Sequence, residues 1–143
     1  MANRHVAEKY ATAQASWDLD ALAALIHHDI RVRYPQSGEQ FEGADRYLAT
    51  IEKHPDLPAL EDVTSRSGGL EKAIVTPGLM SPLVTVIGDG DRFVTEFNAN
   101  YANGEQYHVV SIVRISDGLV IEDTAYFASP FEAPEWRSQY RTS

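Results

Sequence analysis

Val6, Tyr10, Ala13 and Trp17 recur every three or four residues at the start of the chain, the spacing that gathers side chains on one side of an α-helix. A second stripe, Leu19, Leu22, Leu25 and Ile26, follows at once, with Asp18 in place to cap it. Ile30 to Tyr34 alternates and stops at Pro35, which reads as a short strand. Gly38 and Gly43 bracket a turn, and Ala44 to His54 predicts a third helix with Tyr47, Leu48 and Ile51 on one side. Residues 56–81 carry the least pattern, since Gly68-Gly69 and Pro77-Gly78 interrupt their apolar positions. They read equally as a flap over a site or as a surface excursion with one extra strand. Four alternating runs then follow, Leu83–Ile87, Arg92–Tyr101, Gln106–Ile115 and Leu119–Phe127. Gly88-Asp89-Gly90-Asp91, Asn103-Gly104 and Asp117-Gly118 separate them, and such turn signals predict an antiparallel meander. The fold class expected is α+β, a curved antiparallel sheet wrapped by three N-terminal helices.

Turn length sets which side chains share a face, because a one-residue slip moves a strand's side chains to the other side. With Asn103-Gly104 as a two-residue turn, Phe97 lies opposite Val110 and Thr95 opposite Ile112. Asp117-Gly118 read the same way sets Val110 opposite Ala125, Ile112 opposite Asp123, and His108 opposite Phe127. The inner face then collects Phe93, Thr95, Phe97, Ala99, Tyr101, His108, Val110, Ile112, Arg114, Ile121, Asp123, Ala125 and Phe127. The outer face collects Tyr107, Val109, Val113, Glu122 and Tyr126 among others. A bulge, common in curved sheets, would shift part of this assignment.

Composition narrows the function classes. The 143 residues fall in the size range of one domain, so residues 1–143 are expected to form a single one. Net charge is −9, from 12 basic and 21 acidic residues, the wrong balance for a phosphate backbone, so nucleic acid is not an expected partner. No run of about 18 apolar residues predicts a membrane span. The opening MANRHVAEKYATAQ lacks the layout of a secretion signal, and a cytoplasmic protein is the simple expectation. Without cysteine there is no thiol nucleophile or thiolate metal site.

The stretch KYATAQASWDLDALAALIHHDIRVRYP at the start and RISDGLVIEDTAYFASPFEAPEWR at the end resemble the nuclear transport factor 2-like superfamily, and within it the SnoaL-like family. Ketosteroid isomerase, limonene epoxide hydrolase and the polyketide cyclases are among its members. The first stretch resembles the opening of ketosteroid isomerase without a gap. The resemblance implies a cone-shaped α+β barrel around an apolar pocket, no cofactor, and a homodimer through the outer sheet face. Here Tyr107, Val109, Val113 and Tyr126 would supply the apolar contacts. One fold hosts many activities, and the carried-over residues tell chiefly by absence. The isomerase's oxyanion-donating tyrosine falls on Tyr10. Its general-base aspartate falls on Tyr34, its second oxyanion donor near Val110, and the aspartate of the cyclases and the epoxide hydrolase on Ala125.

What remains is a short list. Asp123, walled by Ile112, Ile121 and Phe97, would act as a proton acceptor if burial raises its pKa. Alternatively it pairs with Arg114 diagonally across the sheet. His108 is either a proton shuttle or a partly buried histidine bonded to a hydroxyl. In this register it lies four residues from Asp123 along the strands, roughly 13 Å, too far for a dyad. Tyr10 and Tyr34 would offer phenols to a carbonyl or enolate oxygen. Trp17, Phe97, Val110, Ile112, Ala125 and Phe127 would line the pocket. His27-His28-Asp29 resembles a metal cluster, but adjacent helical histidines diverge by about 100°, so no metal is expected. Two functions stay open. One is a cofactor-free isomerase, cyclase or hydratase acting by proton transfer on a small apolar carbonyl compound. The other is a non-catalytic binding protein for an apolar small molecule.

Overall fold

The structure is a computed structural model that describes residues 2–55, 84–101 and 104–143. The expectation for residues 56–81 lies outside the described residues. Helix α1 spans Asn3–Ser16, α2 Leu19–Leu25 and α3 Ala44–Glu52. Strands are β1 (Ile26–Tyr34), β2 (Glu39–Glu42), β3 (Thr85–Asp89), β4 (Arg92–Asn100), β5 (Gln106–Ser116) and β6 (Leu119–Ala128), and a 3-10 turn covers Glu135–Tyr140. They form one curved, unclosed sheet in the order β2-β1-β6-β5-β4-β3. The three helices are those the sequence predicts, and the meander from β3 to β6 is antiparallel. The sheet as a whole is not: β1 runs parallel to β6. The turn expected between Gly38 and Gly43 contains a strand, β2, that pairs antiparallel with β1. Among the described residues no helix is long and apolar enough to cross a membrane.

Local chemistry explains the joints. Trp17 ends α1 in the left-handed conformation, φ 58°, with its N–H donating to the carbonyls of Ala13 and Gln14. Asp18 then caps α2, its Oδ1 accepting from Ala21 N–H at 3.1 Å. Gly88, φ 131°, faces Phe93 across the β3–β4 pair, and a Cβ there would lie 2.5 Å from the Arg92 carbonyl oxygen. Only glycine allows that approach.

β1 begins at Ile26, earlier than predicted, and the residues between Ile26 and Arg31 fall in a register shift against β6. His27, His28 and Asp29 therefore belong to an irregular strand rather than a helix end. Helical divergence does not apply to them: their ligand atoms lie within 4.8 Å of one another. They engage each other, His28 Nε2 at 3.1 Å from Asp29 Oδ2 and Asp29 N–H donating to His27 Nδ1 at 3.0 Å.

The helices cover the inner face. Val6, Tyr10, Leu22, Ile30, Val113 and Val120 form the main core. A second cluster sets Ala11 and Ala15 of α1 against Phe97, Ala99 and Val109, the alanines letting the helix come close to the sheet.

The register differs from the sequence expectation at both hairpins flanking β5. At β4–β5, Asn100 faces Gln106, and Tyr101 N–H donates to the Glu105 carbonyl at 2.9 Å. Three residues rather than two lie beyond that contact, with Gly104 at φ 90°, as in a three-residue hairpin. At β5–β6 the tight turn forms as expected, with Ser116 facing Leu119, but a bulge then leaves Ile121 between two pairs. Phe97 therefore faces Val109, Ser111 faces Ala125, and Val113 faces Asp123. Each shift is one residue, so β4, and β6 from Glu122 onward, keep their expected faces and β5 is inverted; on the turn side of the bulge Val120 is buried in the core, the place expected for Ile121. Val109, Ser111, Val113 and Ile115 are buried. Val110, Ile112, His108 and Arg114, expected inside, belong to the outer face.

Candidate functional site

A cavity of about 580 Å³ lies between the inner face of the sheet and helices α1 and α3. Of the residues expected to line it, Trp17, Tyr34, Phe97, Ala125, Phe127 and Asp123 do. Val110 and Ile112 do not, and Ile112 is 43% exposed on the opposite face. His108 is also outside, its Nδ1 2.7 Å from Asn98 Oδ1 at the exposed surface. The inversion of β5 accounts for all three. It also removes the expected ion pair, because Arg114 is turned outward to Glu122 at 2.6 Å, which Arg31 joins at 2.6 Å. Val109 and Tyr107, expected on the outer face, line the cavity instead, and Val113 is in the core.

Asp123 is 1% exposed. Tyr10 Oη donates to its Oδ2 at 2.5 Å, within the range of charge-assisted O–H···O⁻ bonds. Gln14 Nε2 donates to the same oxygen at 3.3 Å and to Tyr47 Oη at 3.0 Å. Tyr10 Oη also lies 3.2 Å from Tyr47 Oη. Tyr10 carries one hydroxyl proton and the short contact takes it, so with Asp123 ionised Tyr47 is the donor to Tyr10. A directed chain results, running from the Gln14 amide through Tyr47 and Tyr10 to the carboxylate, and such chains polarise one another. Tyr10 is fully buried behind the cavity wall. It positions and stabilises Asp123 and does not itself line the cavity.

The chain satisfies one carboxylate oxygen. Asp123 Oδ1 and Gln14 Oε1 are buried acceptors without a hydrogen-bond partner. Burial raises the Asp123 pKa above the ordinary aspartate value, opposed by Tyr10, Ser111 and Gln14, whose proximity favours the charged form. Ser111 Oγ makes no well-directed bond of its own, so Tyr10 supplies the firmest of these contacts. The phenols of Tyr10, Tyr47 and Tyr34 are all pushed upward, by burial first and then by the Asp123 charge. They stay protonated near neutrality and serve as donors.

Toward the mouth the wall is aromatic. Trp17 meets His54 and Tyr101 edge-on at 5.1 and 5.5 Å, and His54 stacks on Tyr101 at 4.9 Å. Tyr107 Oη donates to Glu105 at 2.7 Å. The left-handed backbone of Trp17, uncommon for a bulky residue, places this ring at the cavity. Gln14, Tyr47, His54 and Tyr107 were not singled out from sequence as site residues. Gln14 stands one turn after Tyr10 on the same helical face, and Tyr47 lies on the apolar stripe of α3. Those were the signals available.

A family profile described as a SnoaL-like domain matches residues 7–123. An NTF-2 like protein of unknown function from Burkholderia xenovorans LB400 is 32% identical over 99% of this chain and 94% of its own, with a TM-score of 0.71. A putative ketosteroid isomerase from Kribbella flavida DSM 17836 is 22% identical, covering 99% and 88%, with a TM-score of 0.70. An LEH-like epoxide hydrolase of M. tuberculosis is 14% identical over 87% and 81%, with a TM-score of 0.58. At those identities the last two show likeness of fold alone. No curated protein matches. The profile match over most of the chain, with the curved sheet and covering helices beneath it, makes this protein a member of the SnoaL-like family in the NTF2-like superfamily.

Proposed function

We propose that this protein is a cofactor-independent enzyme that moves a proton on a small, largely apolar carbonyl compound, by isomerisation, cyclisation or hydration. The observation that carries the reading is a buried carboxylate, Asp123, that lines a ligand-sized cavity with one oxygen held by Tyr10 and the other unpartnered. Asp123 Oδ1 takes the proton from the carbon beside the carbonyl, and the C–H electron pair moves into the enolate. The negative charge reaches the carbonyl oxygen, where Tyr34, a protonated phenol lining the same cavity, donates a hydrogen bond. Protonated Asp123 then returns the proton to the same or a neighbouring carbon. Tyr10 is a positioning residue.

Deuterium uptake at the α-carbon of β-tetralone in D2O, followed by NMR, tests this. The protein is expected to accelerate uptake, and Asp123→Asn to slow it by about 100-fold or more, the scale of general-base catalysis. Equal rates overturn the assignment. A carrier or sensor of the same compound is the alternative, favoured by the aromatic wall; binding without any exchange would select it. We also propose that two copies pair through the outer face. Ile87, Val94, Ile112 and Tyr126 are exposed there; Tyr126 is among the residues first expected, and Ile87, Val94 and Ile112 stand in for Tyr107, Val109 and Val113.

A further inference from the structure

Apart from tyrosines, four polar or charged side chains are fully buried among the described residues, Ser16, Thr95, Ser111 and Asp123. Ser16 is satisfied on its own helix, donating to the Thr12 carbonyl at 2.8 Å. The other three form a row across the inner face of the sheet. Thr95 of β4 faces Ser111 of β5, and Ser111 faces Ala125 of β6, two residues beyond Asp123 on the same side. Phe93 and Phe97 flank Thr95 on its strand, Val109 and Val113 flank Ser111, and all four are buried. An isosteric valine would suit such a place. Instead Thr95 Oγ1, Ser111 Oγ and Asp123 Oδ1 are each without a hydrogen-bond partner, and neither hydroxyl residue lines the cavity. Buried polar groups are paired as a rule, and this row holds two hydroxyl donors beside one carboxylate acceptor.

We infer that Ser111 is a second positioning residue for Asp123, its hydroxyl donating to Oδ1 when the carboxyl is ionised, and that Thr95 directs that hydroxyl by donating to Ser111 Oγ. Turning about one side-chain torsion moves a serine hydroxyl between staggered positions, and its hydrogen rotates to suit. Cross-strand Thr–Ser pairs form such bonds, and Ser111 is already near enough to Asp123 to favour its charged form. The carboxylate then ends two directed chains. One runs from Gln14 through Tyr47 and Tyr10 to Oδ2, the other from Thr95 through Ser111 to Oδ1. The role rests on the reading of Asp123 as the proton acceptor and leaves that reaction intact, since a carboxylate oxygen has two lone pairs. Oδ1 accepts from Ser111 on one and takes the substrate's proton on the other. The other titratable groups facing Asp123 are the phenols of Tyr10 on α1, Tyr47 on α3 and Tyr34 on β1, all held protonated. Glu122, its strand neighbour, is turned outward to Arg31 and Arg114. Hydroxyl and amide donors, rather than cations, thus hold the charge of Asp123.

Ser111→Ala separates this role from simple packing, because the two give opposite signs. If the hydroxyl is only an unpartnered buried group, alanine is neutral or stabilising at every pH. If it holds Asp123, its loss raises the carboxyl pKa. The folding equilibrium constant relative to wild type then falls about tenfold further between about pH 4 and about pH 9, read by urea unfolding. The midpoint of the pH profile of β-tetralone deuterium uptake is expected to rise by about one unit, the scale of one hydrogen bond to a charged group. Thr95→Val is expected to move both readouts the same way by about half as much. Thr95→Ser, which keeps the hydroxyl, is expected to leave the midpoint at its wild-type value. In an Asp123→Asn background, Ser111→Ala is expected to lose its pH dependence. A stability difference that does not change with pH, or a midpoint that does not move, overturns the role, while wild-type uptake continues to support Asp123 as the base. If the wild type exchanges no deuterium, the proton-acceptor reading fails, and the urea curves alone decide whether Ser111 holds the carboxylate.

Discussion

Replacing Tyr10 with phenylalanine removes one oxygen from the interior and nothing else. The ring stays in the core, where Tyr10 is completely buried, and the lost atom is the donor 2.5 Å from Asp123 Oδ2. A hydrogen bond to a charged group contributes about 1.5–3 kcal/mol, against about 0.5–1.5 for a neutral one. Its loss therefore depends on whether Asp123 is ionised. In the wild type burial already lifts the carboxyl pKa, with Tyr10 the largest opposing influence, and Tyr10→Phe lifts it further. A carboxyl whose folded pKa lies above its unfolded value takes up protons on folding. Stability then declines as pH rises from about 4, the unfolded value, through the folded pKa. The variant should decline further, because each added unit of pKa is about 1.4 kcal/mol.

The expected cost is about 1.5–3 kcal/mol where the carboxyl is ionised, shrinking to the neutral-bond range as pH falls through the folded pKa toward about pH 4 and the carboxyl takes up its proton. Urea unfolding curves of the two proteins, collected across that range, read the difference directly. A cost that is the same at every pH would refute the reasoning, since Asp123 would then not be the charged partner of Tyr10.

Other consequences can be read as easily. Gly88→Ala places a Cβ 2.5 Å from the Arg92 carbonyl at φ 131° and should cost about 1–3 kcal/mol, seen as a lowered thermal midpoint. Val109→Asp and Val110→Asp test the register of β5. Val109 is 2% exposed, so a charge there should cost more than about 4 kcal/mol and deplete soluble protein, while the partly exposed Val110 should tolerate one within about 1 kcal/mol in denaturant melts. Ile112→Arg on the outer face should leave stability within about 0.5 kcal/mol and shift the chain from dimer to monomer in gel filtration.

The sequence announced the elements more clearly than the alignment of β5 between its neighbours. Helix stripes, the Asp18 cap and the tight Asp117-Gly118 turn each have a local physical cause, and each is where the pattern puts it. The faces of β4 and β6 were also legible, because Phe93, Phe97 and Ala99 alternate with polar residues, and Asp123, Ala125 and Phe127 share one parity. β5 carries apolar residues on both parities, Val109, Val113 and Ile115 on one and Val110 and Ile112 on the other. Alternation therefore could not choose its face. A hairpin longer by one residue and a bulge at Ile121 chose it, and both depend on packing across the sheet. Site residues on β4 and β6 were consequently recognised, and those on β5 were exchanged with their neighbours. Gln14 and Tyr47 were missed for another reason. Their role depends on how two helices far apart in the chain, Asn3–Ser16 and Ala44–Glu52, lean over the same carboxylate, and no periodicity within either helix records that.

The pH profile of α-carbon deuterium uptake by β-tetralone tests the central claim, that Asp123 is the proton acceptor, most directly. A base works in its ionised form, so the rate should climb with pH through a midpoint above the ordinary aspartate value of about 3.9. That midpoint should move upward in Tyr10→Phe, and the rising limb should vanish in Asp123→Asn. The same limb at the same midpoint in Asp123→Asn would contradict the account.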